Sequence, residues 1–319
     1  MGDIAFIFPG QGSQYVGMGK SLYDNFDEAR AVFAEASEAA GVDMAKLCFE
    51  GPESELNRTE NTQPAILTAS LAVVAVLKAM HVNPGTVAGH SLGEITAVAA
   101  AGGLTVPQAV SLAKRRGRYM QEAVAEGRGL MAAVLGLEPE KIMQACAEAS
   151  GLGVVAPANY NSPGQVVIAG EKQAVEKASE LCQAMGAKKV IPLAVSVPSH
   201  CALMQPAADR LKADLDDIEI KDLDVPLAAN AGGTFINKAE DVRAALVKQL
   251  TSPLLWEACV NSIVNEGARV VVEAGPGKVL SGLVKRITKG VEIRNVEDET
   301  SLNNTLDYLS MGCKFSPKK

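Results

Sequence analysis

Histidine is scarce in this chain of 319 residues, with only His81, His90 and His200. A structural or catalytic zinc site has little to draw on, and neither a metal nor a cofactor is expected. The six cysteines, at positions 48, 146, 182, 201, 259 and 313, contain no C-x-x-C pair and no dense framework. Reduced, mostly buried thiols in a cytoplasmic protein fit that spacing better than a disulfide scaffold. No apolar run reaches the roughly 18 residues that a membrane span requires. The longest, PAILTASLAVVAVLKAM at 64–80, is interrupted by Thr68, Ser70 and Lys78 and reads as a buried helix, so no membrane partner is expected. The opening MGDIAFIFPGQGSQ lacks a basic leader, and Pro9 and Gly10 stop its short apolar run, which argues against export. Positive charge is also short. Against 37 Asp and Glu stand 30 Lys and Arg, a net charge of -7 that disfavours a nucleic-acid partner held over the whole surface.

What remains is ample for a folded, soluble protein. Apolar residues make up 48% of the chain and charged residues 21%. The length predicts two domains, or one large α/β body carrying an insertion. Residues 3–8, DIAFIF, read as a buried strand ended by the PGQGSQ turn. A helix over 20–40, a polar segment at 53–62 and a helix over 64–81 follow. TVAGHSLGEITAVAAAGG then predicts a strand at 86–89, a tight turn, and a helix over 92–101. Pro107 opens another helix, over 107–125.

The rhythm then changes. Strands at 129–136, 154–159, 165–170 and 188–195 alternate with helices at 138–150 and 171–186. This β-α-β-β-α-β order within about 65 residues is the ferredoxin-like arrangement. It is read as a small domain, 126–195, inserted into a discontinuous α/β catalytic domain formed by 1–125 and 196–310. The larger domain resumes with a helix at 203–216, a loop region at 222–238 and helices at 239–250 and 253–266. A strand at 268–275, a helix at 278–289 and a strand at 291–296 complete it. Residues 311–319 read as a loose tail.

The sharpest local signal is GHSLG at 89–93, a G-x-S-x-G between a predicted strand and a predicted helix, the context of a nucleophile elbow. There a serine hydroxyl meets unpaired N–H groups and the positive end of a helix dipole. Ser91-Leu92-Gly93-Glu94 is equally an S-x-x-E capping box, in which Ser91 would only cap the helix. A serine needs a base. His90 is adjacent and its side chain should diverge; His81 ends a helix; His200, in the loop VSVPSHCAL, is the base by elimination. No convincing third acid appears, since Glu140, Glu148, Glu171 and Glu176 fall within helices of the small domain. A polar amide or a backbone carbonyl is left to hold the imidazole. On helix 107–125, Arg116 shares the apolar face with Ala109, Ala113, Met120 and Val124, while Arg115 and Arg118 flank it toward solvent. A buried guanidinium needs an anion, either an internal carboxylate or a substrate carboxylate. The loop FPGQGSQ at 8–14 lacks the spacing of a phosphate loop, but one of its N–H groups can complete an oxyanion hole.

FPGQGSQ, NTQPA at 61–65, GHSLGE, RRGRYMQ at 115–121, NYNSPGQVVIAG at 159–170, PSH at 198–200, QLTSPLLW at 249–256 and EAGPGKVL at 273–280 occur in one order. Together, over roughly residues 3–300, they resemble the malonyl-CoA:acyl carrier protein transacylases of type II fatty-acid synthesis. The resemblance implies an α/β-hydrolase-like large domain with a mostly parallel sheet and an inserted ferredoxin-like domain. It implies Ser91 as nucleophile, His200 as general base and acid, and Arg116 as partner of the malonyl carboxylate. The backbone N–H groups of Gln11 and Leu92 are implied as the oxyanion hole, and the Gln249 carbonyl as the group orienting His200. Asn161 and Gln63 are implied to line the cleft. Malonyl-CoA and, transiently, acyl carrier protein are the implied partners of a cytoplasmic monomer. In related polyketide acyltransferase domains the residue before the histidine tracks the acyl group, phenylalanine marking malonyl. This chain has Ser199, as do similar stand-alone enzymes that use malonyl, so malonyl remains the expected group. Two other classes share parts of the pattern: a serine esterase using water, against which Arg116 and the missing acid weigh, and a binding module in which Ser91 only caps a helix.

Overall fold

Alternation along the first strand, β1 (Ile4–Phe8), sends Phe6 and Phe8 into one apolar layer and Ala5 and Ile7 into another. Both faces of the strand are therefore covered, which is why its sequence shows no polar interruption. The computed structural model describes residues 3–193 and 197–311. Besides β1 these contain β2 (Thr86–Gly89), β3 (Gly129–Leu135), β4 (Val155–Ser162), β5 (Gln165–Glu171), β6 (Lys189–Pro192), β7 (Leu227–Ala228), β8 (Phe235–Ile236), β9 (Val270–Ala274) and β10 (Glu292–Val296).

The larger sheet has the order β10-β9-β1-β2-β7-β8, parallel except for the β7–β8 pair. Helices Thr59–Ala79, Leu92–Ala100 and Val106–Ala123 supply apolar side chains to the layer on one face, and helices Trp256–Asn265 and Val279–Ile287 to the layer on the other. Strand β1 has β2 on one side and β9 on the other, so the chain reverses its direction of travel across the sheet at β1. Crevices beyond the carboxyl end of such a strand are where open α/β sheets bind ligands. The PGQG and GHSLG turns both leave from there.

The smaller sheet is antiparallel, in the order β4-β5-β3-β6. Ala132 and Val134 of β3 pack under helices Pro139–Ala149 and Lys172–Ala184, with Ile142 and Val175. Met131 and Ala133 point the other way, with Val167, Ala169 and Cys201. The protein is thus an α/β fold with one mixed and one antiparallel sheet.

Several expected boundaries move. The helix expected over 20–40 is two, Lys20–Asn25 and Asp27–Ala40, because Phe26 between them is extended. Part of the polar segment 53–62 is helical: the helix expected from 64 begins at Thr59 and contains Pro64. That helix, Thr59–Ala79, is the one among the described residues long and apolar enough to cross a membrane, and most of it is buried inside the fold. The loop region 222–238 contributes β7 and β8, too short to show a period. The helix expected from 253 starts at Trp256, because Leu255 before it has φ -96° and ψ 63°, outside the helical region; the Leu254 and Leu255 N–H groups go to the carbonyls of Ala158 and Asn230. A last helix, Glu299–Met311, has no counterpart in the reading of the sequence. The tail at 312–319 and the end of the 188–195 strand, from residue 194, lie outside the described residues.

Candidate active site

Strand β2 runs into helix Leu92–Ala100 through His90 and Ser91, and the Ser91 backbone takes φ 54° and ψ -108°, a region that costs a non-glycine residue strain. The flanking glycines are a matter of space: a Cβ on Gly89 would stand 1.8 Å from the Gly93 carbonyl oxygen, and one on Gly93 2.2 Å from that of Phe8. Two side-chain amides fasten the turn. The Ser91 N–H donates to Asn230 Oδ1 at 2.9 Å, and the Ser91 carbonyl accepts from Gln249 Nε2 at 2.9 Å. Asn230 also donates to the Gly89 carbonyl at 2.7 Å.

Ser91 makes no side-chain cap, so the capping-box reading fails. Its positive φ turns the hydroxyl out of the helix axis, where it donates to His200 Nε2 at 2.9 Å and accepts from Arg116 Nη2 at 3.1 Å. His200, itself at φ 61°, donates from Nδ1 to the Gln249 carbonyl at 2.8 Å. A carbonyl only accepts, so that bond fixes the proton on Nδ1 and leaves the Nε2 lone pair facing the hydroxyl. Burial, with Arg116 close by, pushes the imidazole down to about 3, against the pull of the Gln249 carbonyl. At neutral pH it is an uncharged base.

Arg116 is 1% exposed, on the buried face of helix Val106–Ala123 as the helical spacing predicted; Val124 falls just past the helix end. Its Nη1 donates to Gln63 Oε1 at 2.8 Å and its Nη2 to Gln249 Oε1 at 2.7 Å. Among the described residues it makes no ion pair, which leaves the alternative of a direct internal carboxylate partner without support. Burial pulls its pKa down to about 10, with Glu94 opposing. Arg115 instead pairs with Asp214 at 3.2 Å near the surface.

These groups open on a cavity of about 290 Å³. Gln11, Gln63, Ser91, Leu92, Arg116, Asn161 and His200 line it, so the structure brings the anticipated residues together; Gln249 stands just behind. The facing wall is the cleft side of the small sheet, with Met131, Ala133 and Val167. Among the described residues, neither the Gln11 nor the Leu92 backbone N–H has a protein acceptor. His90 diverges as expected: its Nε2 bonds Asn161 Oδ1 at 2.9 Å, its ring meets Trp256 edge-on, and burial lowers its pKa. Cys201 is buried beside His200 with its thiol on the Pro198 carbonyl.

Sequence reasoning missed Glu94 and Asn230. Glu94 is fully buried and accepts from the Asn230 N–H at 2.7 Å and from Gln249 Nε2. The S-x-x-E pattern flagged its position but suggested the wrong contact. Asn230 lies in the 222–238 region, where no motif marks it.

Chemically, the arrangement can activate one hydroxyl, hold an oxyanion and receive an acidic group on the acyl chain. Those capacities define a serine-dependent acyltransferase. The model of the acyl transferase domain family matches residues 5–305. The malonyl CoA-acyl carrier protein transacylase of Escherichia coli K12 is 46% identical over 308 residues, 96% of this chain and 100% of that protein. That of Bacillus subtilis is 44% identical over 310 residues, 97% of this chain and 98% of its own length. The crystal structure of the Clostridium perfringens transacylase superposes with a TM-score of 0.95 at 43% identity, covering 98% of each chain. The chain belongs to the acyl transferase domain family and, within it, to the malonyl CoA-acyl carrier protein transacylases.

Proposed function

We propose that this chain moves the malonyl group of malonyl-CoA onto the phosphopantetheine thiol of acyl carrier protein, through an ester on Ser91, and so supplies fatty-acid elongation. The observation that carries the reading is the position of one hydroxyl, Ser91 Oγ, between His200 Nε2 and Arg116 Nη2. His200 takes the hydroxyl proton as Oγ attacks the thioester carbonyl. The oxyanion that forms is held by the Gln11 and Leu92 N–H groups, where losing one donor typically costs ~3 kcal/mol. The intermediate collapses, the C–S bond breaks, and the leaving thiolate takes the proton back from His200. In the second half the carrier thiol gives its proton to His200, attacks the malonyl ester, and Ser91 leaves with that proton.

Arg116 receives the free malonyl carboxylate in place of the hydroxyl, while Gln63 and Gln249 keep the fork aligned. Asn161 and Gln63 line the acyl end of the cleft. The reading carries a domain division with it: an α/β-hydrolase-like body from 1–125 and 196–310, and a ferredoxin-like insertion from 126–195. The strand order of the small sheet and its own apolar layer under two helices support that division. The reading also takes the protein as a monomer, and the buried thiols suit the cytoplasm.

The test is a two-stage incubation. Malonyl-CoA alone should load one malonyl group, mapped to the Ser91 peptide, and adding phosphopantetheinylated carrier protein should discharge it onto the carrier thiol. An adduct elsewhere refutes the nucleophile. Discharge into water at the rate of transfer would make the protein a hydrolase.

A further inference from the structure

Among the buried ionisable groups that the reaction does not use, Glu94 is bonded to the residues of the site. Glu94, on the first turn of helix Leu92–Ala100, is fully buried, and both of its oxygens are engaged by the two residues that fasten the elbow. Oε1 accepts from the Asn230 N–H at 2.7 Å and Oε2 from Gln249 Nε2. The Gln249 amide has two ends and three neighbours. Its NH₂ donates to the Ser91 carbonyl and to Glu94, both of which only accept here, and its oxygen therefore faces Arg116 Nη2. Turned over, the amide would set N–H against the guanidinium, and oxygen against a carbonyl and a carboxylate. That arrangement has no hydrogen bonds at all.

We infer that Glu94 is a positioning residue for acid-group selection: it sets the direction of the Gln249 amide and through it the aim of the Arg116 fork. It does so at one remove. A carboxylate bonded directly to Arg116 would occupy the fork and exclude a substrate carboxylate. An acidic group placed behind an amide lends the buried cation partial compensation and leaves its outer face free. Glu94 also accepts the Asn230 backbone N–H, whereas the elbow is tied by the Asn230 side-chain amide, whose bonds to the Ser91 N–H and the Gly89 carbonyl do not involve Glu94. The inference rests on the reading of Arg116 as partner of the malonyl carboxylate.

The test is Glu94→Gln, which keeps the shape but offers one acceptor where two N–H donors converge. The new NH₂ must face either the Asn230 N–H or Gln249 Nε2, so the set of bonds that fixes the Gln249 amide is broken and the Arg116 fork loses its aim. The expected result is KM for malonyl-CoA raised roughly tenfold or more with kcat within about threefold, and kcat/KM for acetyl-CoA within about threefold of wild type. Equal losses on both substrates, or no change on either, overturn the inference, because a merely structural glutamate would not separate them. If Glu94→Gln yields no folded protein, the same ratio is read in Glu94→Asp, whose shorter carboxylate reaches only one of the two amides; an unchanged ratio there overturns it equally. Arg116→Ala is measured alongside. A selective malonyl loss in Arg116→Ala without one in the Glu94 variants refutes the inference alone, whereas no selective loss in Arg116→Ala refutes the clamp and the inference with it.

Discussion

On one side of the cleft, beyond the ends of β1 and β2, Ser91 and His200 both sit at positive φ, and Arg116, Gln249 and Glu94 are buried in a closed set of hydrogen bonds. Across from them, β3 and β5 present Met131, Ala133 and Val167 on a regular antiparallel ladder, with Asn161 of β4 as a polar contact. Strained backbone persists only where its surroundings over-determine it, and the first wall supplies that through Asn230 and Gln249. The second wall has no strain to hold. Bond-making needs groups whose protonation and direction are set in advance, whereas shaping an acyl pocket needs volume alone. Substitutions on the two walls should therefore differ in kind.

The largest effect is expected from Ser91→Ala on the polar wall. With no hydroxyl there is no ester, and mass spectrometry after incubation with malonyl-CoA should find no adduct. An undiminished adduct would sink the comparison at once.

His200→Ala comes next. It removes proton transfer but leaves the N–H donors, so acylation should fall by roughly 10²–10⁴-fold in quench-flow, while His81→Ala stays near wild type. The acid side gives an independent check. A base held down at about 3 stays unprotonated from neutral pH into mild acid, so the wild-type acylation rate should fall only as pH approaches that value. Stability behaves differently. Between the ordinary histidine value, near 6.5, and about 3, the unfolded chain binds a proton that the folded one refuses, so His200 costs stability progressively as pH falls through that window. Glu94, raised to about 7 by burial, has the opposite sign: its contribution is complete below its ordinary value and is lost as pH rises through 7. That term is common to wild type and His200→Ala, so the difference between their melting curves from pH 4 to 7 isolates the histidine. A wild-type melting temperature that drops no faster toward acid than that of His200→Ala would refute the assignment of a buried neutral imidazole.

How much of this was legible in the sequence follows the same division. GHSLG announced the elbow because a strand, a turn and a helix each leave a local pattern. His200 was reachable because only three histidines competed, and Arg116 because a helix repeats its face. Gln11 and Leu92, proposed to act through their N–H groups, and the Gln249 carbonyl that holds His200 are backbone contributions with no residue-type signature, so only the family resemblance pointed to these residues. Glu94 meets Asn230 across 136 positions, and no local period encodes such a contact. In the fold, β1 and β9 were legible as continuous apolar runs, while β7 and β8, at two residues each, were too short. The break at Phe26 and the closing helix Glu299–Met311 were missed, because the tertiary packing that sets them is absent from any short window.

Arg116→Ala should show the third effect, smaller than that of His200 and selective. Removing one partner of a buried charge-assisted pair should raise the malonyl barrier by ~2–4 kcal/mol. Acetyl-CoA, with a methyl group in that place, should react unchanged or faster. Arg115→Ala, at the partly buried pair with Asp214 away from the cavity, should keep the wild-type ratio between the two thioesters. The measurement is kcat/KM for both thioesters with all three proteins, and an equal fall on both in Arg116→Ala would make the arginine structural.

The smallest effect belongs to the apolar wall. Val167 on β5 is 4% exposed, pairs with Ala133 of β3 and with Asn159 of β4, and lines the cavity. Val167→Ala removes two methyl-sized groups, worth about 1–2 kcal/mol of stability by transfer and cavity terms together. It touches no group that moves a proton or holds charge, so kcat with malonyl-CoA should stay within about threefold of wild type. The space it opens exceeds the single methyl that separates methylmalonyl from malonyl, and a methyl group in a tight pocket discriminates by ~1–3 kcal/mol. Methylmalonyl-CoA should therefore gain on malonyl-CoA in the variant, a shift read directly by competing the two thioesters in one reaction. If Val167→Ala instead lowered acylation as far as His200→Ala does, the apolar wall would be taking part in the chemistry, and the division between the two walls would fail.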